Sequence, residues 1–584
     1  LDGDHELRNK GFDKSKLELD AYHIVQYEPG QHYPNLRIIS ARLDWECVTA
    51  THEYWTAKDA RYGDIYELEI IDHNDGGSRA DKYPRDENLL LNVELKKNPN
   101  SDRAHFYLAQ TYYHWGKLDK AEEYYKKRTT LGGYAEEVWY SFYQLGRINH
   151  KLGRWSEAIN YFMEAQARNP HRAEPYYEVA EKYRMEGKPA LAYDFADRGY
   201  RIPMPRSGLF VEHGPYEYGL LYNLALTGFW VDKVRGLRAA SLFSMHPKSP
   251  WNLKQVIREA YKSYVTDPPA ELGFQWQTIG AQIPMNYRPM NPSMILRPEG
   301  LMVLLRTVNY YFKSQMHYVL PPDGYVRTRN FLLRYTPASY GQSPQLQEQH
   351  EIIAPPPRAK PKQPVAGLED CRIFYWKDAY WIICSSWEYH NPPCKDGPQQ
   401  CLGRLELNAQ GDYDVKDLVA LKSPENRSCE KNWLPLIHMG DLYLIYETNV
   451  ILKPNLETGE CKVVYRFDNL LDFGNLRGSA APIPFPIKGN PGYLYVVHEV
   501  LDRKDAGRMY LHRFIWLNVR LEVQKISVPF LFREHGIEYV AGMALAPDRK
   551  TVYLGVGMGD REAHLVQTDA EKISNYLQEV SLRL

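Results

Sequence analysis

Apolar and small positions recur at helical intervals between about residues 100 and 200, in three stretches that align: "YLAQTYYHWGKLDKAEEYY", "YQLGRINHKLGRWSEAINYF" and "YEVAEKYRMEGKPALAYDFA". Gly116, Gly153 and Gly187 mark the same point in each, and Ala121, Ala158 and Ala192 follow five residues later. The pattern predicts paired helices: the glycine turns the chain, the alanine lets the helices approach, and the aromatics fill the seam. Residues 216–246 read as a further, irregular helical pair. Around 265–300, Pro and Gly in "TDPPAEL" and "YRPMNPSMILRPEG" end the helical periodicity, and a boundary is expected there.

From 300 to 570 the pattern changes to short β-branched and aromatic runs such as "LMVLLRTVNYYF", "RIFYWKDAYWIICSS", "LPLIHMGDLYLIYE", "GYLYVVHEV" and "TVYLGVGMG". Turns such as Trp376-Lys377-Asp378 separate them, and their spacing predicts a β-propeller of five blades. "APPPRAKPKQP" at 354–364 reads as an exposed loop, and 571–584 as a terminal helix.

The repeats resemble the tetratricopeptide repeat, which implies a helical scaffold and a protein partner on it. The expected organisation is multidomain: residues 1–95, a partial α/β segment; 96–262, the helical repeats; 263–299, a linker; and 300–570, the propeller.

Residues 1–95 carry "LDGDHEL", "THEYW", "IIDHND" and "KYPRD" in that order. Carboxylates and imidazoles so spaced suit a Mg²⁺ or Mn²⁺ site. Together the motifs resemble the C-terminal part of an inverting GT-A glycosyltransferase of the family 2 type. The resemblance implies that Asp2, Asp4 and His73 hold a divalent cation, that Glu53 is the catalytic base, and that Lys82 and Arg85 neutralise the donor diphosphate. The partners it implies are a nucleotide-sugar donor and a glycan or glycoconjugate acceptor. In that fold a nucleotide-binding half precedes the DxD, so a longer protein or a remnant domain is expected.

In the propeller, charged motifs stand beside the strand starts: "GLEDCR", "EKNWLP", "LRGSAAP", "VVHEV" and "RMYLHRF". They resemble motifs of the mannoside phosphorylases and related glycoside hydrolases, with Cys371 where those carry a proline. The resemblance implies Asp370 as general acid or substrate-binding carboxylate. It implies Arg372, Lys431, Asn432, Arg477, His498 and His512 as a glycan or phosphate pocket, with Trp433 as a stacking face. Glu538 and Asp560 read as rim carboxylates without a catalytic role.

The expected function is therefore transfer of a sugar from a nucleotide sugar, with the propeller as a second glycosyl-transfer or glycan-binding domain. One alternative is a glycoside phosphorylase or hydrolase acting through the propeller alone. The other is a non-catalytic scaffold that binds glycan or protein.

A formal net charge of -1 over 584 residues lacks the basic excess of a nucleic-acid binder. No apolar run reaches the roughly 18 residues of a membrane helix. Seven cysteines without CxxC pairs fit a reducing, cytoplasmic setting, although Cys394 and Cys401 are near enough in sequence to bridge. The sequon at Asn426 would matter only on a secretory route.

Overall fold

The computed structural model describes residues 4–73, 82–314, 317–358, 363–389, 397–425, 427–467, 470–503 and 507–584, so Asp2, Cys394 and Asn426 lie outside the described residues. The chain divides into two compact units, Leu1–Phe243 and Ser244–Leu584.

In the first unit a mixed sheet runs in the order His5–Asn9, Tyr62–Asp72, Ala21–Glu28, Gln31–Ile39, Val211–Glu212. Tyr22, Ile24, Ile65, Leu68 and Ile70 form its apolar core. Helix pairs follow: Asp102–His114 with Leu118–Thr130, Ala135–Lys151 with Trp155–Arg168, and Glu174–Met185 with Pro189–Tyr200. Gly116, Gly153 and Gly187 have φ of 81°, 76° and 68°. Each ends the first helix of its pair in the left-handed conformation that L-residues adopt reluctantly. Ala121, Ala158 and Ala192 are fully buried in the seams. Leu90, Leu91 and Leu95 pack into the repeats' core, so the boundary expected at 95 falls earlier, before helix Lys82–Leu89.

The chain's own residues 205–213 lie against the repeats. Phe210 packs edge-on to Tyr140 at 5.1 Å, the Arg147 guanidinium donates to Glu212 at 2.7 Å, and Arg172 donates to the carbonyls of Leu209 and Phe210 at 3.1 and 3.2 Å. The same segment then adds Val211–Glu212 to the edge of the sheet, pairing with Gln31 and His32. This face of the repeats is therefore occupied from within.

The second unit is built of five antiparallel sets of four strands, here called sheets; the first two are joined at their outer edges by the parallel pair Gln345–Ile353 with Tyr413–Ala420, and the fourth carries a fifth strand. Their innermost strands are Arg288–Arg297, Glu369–Trp376, Leu434–His438, Arg477–Pro484 and Glu538–Leu545. Each of these packs on the next, and the fifth packs back on the first, which closes a propeller-like ring. The fifth sheet takes its outer strand, Gln275–Thr278, from the start of the unit, so the two ends of the β region are stitched together. The segment 263–299 expected as a linker thus supplies that strand and the first sheet's inner strand. Residues 571–584 differ too: helix Ala570–Tyr576 is followed by strand Gln578–Glu579, which pairs with Val523–Ile526.

Glycines set how closely the sheets approach. A Cβ on Gly542 would lie 2.3 Å from the Met294 nitrogen, and one on Gly478 would lie 2.2 Å from the Asn432 carbonyl oxygen. The described cysteines are free thiols, four of them, Cys371, Cys384, Cys401 and Cys461, buried in sheet cores.

Candidate active site at the mouth of the ring

In such a ring, the starts of the inner strands and the ends of the second strands share one face. Side chains distant in sequence therefore converge at the axis. Asn291, Asp370 and Asn432 stand at the starts of three inner strands, and Asp560 stands in the turn after the fifth sheet's second strand. All four have positive φ, of 46°, 48°, 66° and 50°. Non-glycine residues are held there at a cost of order 1–3 kcal/mol each, and such residues concentrate at functional sites.

Arg306, from the second strand of the first sheet, organises the centre. Its guanidinium donates to Asp370 Oδ1 at 2.7 Å and to Glu369 Oε1 at 2.6 Å. Asn291 donates to the same Asp370 oxygen at 2.9 Å. Trp387 Nε1 donates to Glu369 Oε2 at 3.3 Å, and the half-exposed Lys431 ammonium stands 3.9 Å from that oxygen. Burial alone would raise the Asp370 pKa, but Arg306, then Lys431, Asn291 and Arg372 outweigh it and hold the carboxyl well below its usual range. Asp370 is an anion at neutral pH, an acceptor and not a proton donor.

Asp560 is the opposite case. Burial, with Asp370 and Glu369 nearby, outweighs Arg306 and the Tyr310 hydroxyl and pushes it up to about 6. Tyr310 donates to Asp560 Oδ2 at 3.3 Å. Two carboxyls in one mouth with pKa values driven apart are the arrangement from which acid and charge-stabilising roles are divided.

Arg372 is fully buried and committed to the protein. It donates to the Ser479 and Asp370 carbonyls at 2.9 and 3.2 Å, to Asn432 Oδ1 at 3.2 Å and to the Tyr539 hydroxyl. Tyr539 in turn donates to Asn432 Oδ1 at 2.7 Å. Arg372 and Asn432 thus tie inner strands of different sheets together, and Arg372 has little left to offer an anion. His498, paired in register with Arg477, stacks on Tyr510 at 5.4 Å and stands edge-on to Tyr539 at 5.2 Å. Burial, His512, Arg372 and Arg477 lower its pKa well below the ordinary value, so it is neutral, and its buried Nδ1 lacks a hydrogen-bond partner among the described residues. Arg477 is exposed and makes no ion pair among the described residues.

Two residues expected in the pocket lie elsewhere. Trp433 is buried between the second and third sheets, edge-on to Tyr446, with Nε1 donating to Glu430 at 3.1 Å, and presents no open face. His512 is fully buried beside Phe530 and Phe532. Arg306, Asn291, Tyr310, Glu369 and Asp560 join the site without having been singled out as its functional residues. Asn291-Pro292-Ser293 starts an inner strand just as Asp370-Cys371-Arg372 does, a parallel that the sequence offers.

In the first unit, Asp4, His5 and Asp72 bring ligand-type atoms within 4.8 Å of one another. His5 faces Asp72 because the two are register partners. His73 points instead to the exposed Glu6, 3.2 Å away. Glu53 is exposed, Lys82 is exposed, and Arg85 is engaged by Asp86 at 3.1 Å.

The family model for the tetratricopeptide repeat matches residues 102–131 and 140–172. No curated protein matches the chain. Among solved structures, the chain is similar to β-1,2-mannobiose phosphorylase from Listeria innocua, at 14% identity and a TM-score of 0.34 over 51% of this chain and 94% of that one. It is also similar to MPT-4, a mannose phosphorylase from Leishmania mexicana, at 10% identity and a TM-score of 0.33 over 57% and 98%. MamA is a third, at 19% identity and a TM-score of 0.23 over 31% and 90%. The chain carries tetratricopeptide repeats in its first unit.

Proposed function

We propose that the mouth of the ring cleaves a glycosidic bond with inorganic phosphate as co-substrate, as a glycoside phosphorylase does. The observation that carries this is the division of labour between Asp370 and Asp560. Asp560 gives its proton to the leaving oxygen as the glycosidic C–O bond breaks, and a phosphate oxygen bonds to the anomeric carbon. The fixed negative charge of Asp370 accepts a sugar hydroxyl or faces the positive charge developing on the ring. Hydrolysis would require a base to activate water, and Glu369 and Asp370 are both already bound by Arg306. A phosphate dianion requires none, and Lys431 and Arg477 supply positive charge for it. In Asp560→Asn, turnover of a disaccharide should fall about 10²–10⁴-fold. Turnover of the matching 2,4-dinitrophenyl glycoside, whose leaving group needs no proton, should be nearly retained. Equal losses on both would remove Asp560 from the acid role.

The Asp4, His5 and Asp72 cluster favours a second reading, metal-dependent glycosyl transfer from a nucleotide sugar in the first unit. These residues would hold a divalent cation, which neutralises the leaving diphosphate when bound. Calorimetric titration with Mn²⁺ tests it: heat that disappears in Asp4→Asn and Asp72→Asn supports the reading, and heat unchanged in both removes it.

A further inference from the structure

A short hairpin, Tyr311–Ser314 with His317–Val319, stands between the second and third strands of the first sheet. That connection is on the face of the ring that carries Asp560. Phe312 and Tyr318 are register partners with ring centroids 4.1 Å apart, and Tyr310 lies edge-on to Tyr318 at 5.4 Å. Tyr310 is also the residue that donates to Asp560 at 3.3 Å, so the aromatic cluster is continuous with the acid of the site. Tyr318 stands on this hairpin, and burial and then Asp560 of the fifth sheet raise its hydroxyl pKa, with Arg508 of the fourth opposing. Through Tyr310, which meets both Tyr318 and Asp560, the hairpin adjoins the mouth. Tyr318 is nevertheless 53% exposed, with Phe312 and Tyr310 as its ring neighbours.

We propose that Tyr318 is the stacking face for the sugar unit on the leaving-group side of the scissile bond, so that the mouth selects disaccharides or longer glycans over monosaccharides. This rests on the reading of the mouth as a glycoside site. Arg306 and Asn291, which hold Asp370, are buried, whereas Tyr318, which meets Tyr310 beside Asp560, is half-exposed. A sugar ring whose glycosidic oxygen meets the Asp560 proton has its next unit against this hairpin. A pyranose presents C–H groups on one face, which suit an aromatic surface that is apolar across its ring and polar at its hydroxyl. Phe312 and Tyr310 fix the ring in place, which limits the entropy lost on binding.

The test is calorimetric titration of the full chain with mannobioses and glucobioses of several linkages, and with mannose and glucose. The wild-type chain should bind at least one disaccharide more tightly than its monosaccharide. Tyr318→Ala should weaken that disaccharide by about three- to tenfold and leave the monosaccharide unchanged, while Tyr318→Trp should restore the preference. Equal affinities of wild type and Tyr318→Ala for the disaccharide would overturn the stacking role and leave the glycoside site standing. Equal loss for both sugars would place Tyr318 in the structure of the mouth and not on the leaving-group side. A wild-type chain that binds none of these sugars would overturn the glycoside reading and the stacking role with it.

Discussion

Arg306 is the residue on which the candidate site turns. Its guanidinium joins Glu369 and Asp370 by charge-assisted bonds in a buried setting, and removing one partner of such a cluster leaves the others uncompensated. Arg306→Met should destabilise the ring by about 3–5 kcal/mol, read as a lowered urea midpoint, whereas Lys431→Met on the exposed rim should cost less than about 1 kcal/mol. In the proposed reaction Asp560 sets the pH dependence. Its carboxyl is raised from 3.8 to about 6, so the proton required for leaving-group protonation is present below that value and lost above it. Turnover at saturating substrate should be flat at low pH and fall about tenfold per unit above about 6, and Tyr310→Phe should move the break upward, since the Tyr310 hydroxyl favours the ionised form. Asp370, Asn432 and Lys431 were legible in the sequence because they sit in short charged motifs ahead of apolar runs. Arg306 was not, because it interrupts the apolar run "LMVLLRTV" as a single charge whose partners come from a different sheet. Trp433 was misread because an indole beside a charged motif reads alike in sequence whether it faces the axis or the seam between two sheets, and here it fills the seam.

At the scale of elements, the strap 205–213 joins the repeats to the sheet of the first unit through two imidazoles. His32 Nδ1 meets His213 Nε2 at 2.9 Å, and His32 Nε2 donates to the Pro205 carbonyl at 3.1 Å. Since a carbonyl only accepts, neutral His32 must carry its proton on Nε2 and accept from His213. Burial first, then His213, lowers the His32 pKa from 6.5 to about 4, with Arg172 acting in the same direction and the Pro205 carbonyl and Glu174 opposing. A base whose folded pKa lies below its unfolded value stabilises fully above the unfolded pKa. Its contribution is lost as pH falls through the folded one. The first unit's stability to urea, followed by amide exchange of helix Ala135–Lys151, should therefore decline between pH 6.5 and 4, and His32→Gln should flatten that decline. In the ring, Gly542 has Ser293 and Met294 backbone against it, so Gly542→Ala should destabilise by more than the few tenths of a kcal/mol of an ordinary surface change. The helical pairs were readable from Gly116, Gly153 and Gly187 because a left-handed helix end nearly demands glycine. The strap was not readable, because a two-residue strand has no periodicity and its partners lie more than a hundred residues away.

At the scale of the whole chain, the second unit owes its closure to Gln275–Thr278, which completes the fifth sheet from the opposite end of the β region. A chain lacking residues 275–278 should leave the edge of Glu562–Asp569 unpaired and lose single-step unfolding of the ring, observed as two transitions by calorimetry. The five strand sets were legible as runs of short apolar strands, whereas the closing strand lies among prolines where helical periodicity had simply stopped. In the first unit the strands between His5 and Asp72 form a sheet with an oxygen-and-imidazole cluster, and the second unit gathers the divided carboxyl pair. Of the two proposed readings, the one in the second unit is the better supplied with side chains for catalysis. Phosphorus-31 NMR of the full chain with inorganic phosphate and the disaccharide it binds most tightly decides between them. A sugar 1-phosphate resonance that grows with time in the wild type and is absent in Asp370→Asn and Asp560→Asn is the predicted result. Bound disaccharide that stays intact, or that is cleaved equally without phosphate, would contradict the account.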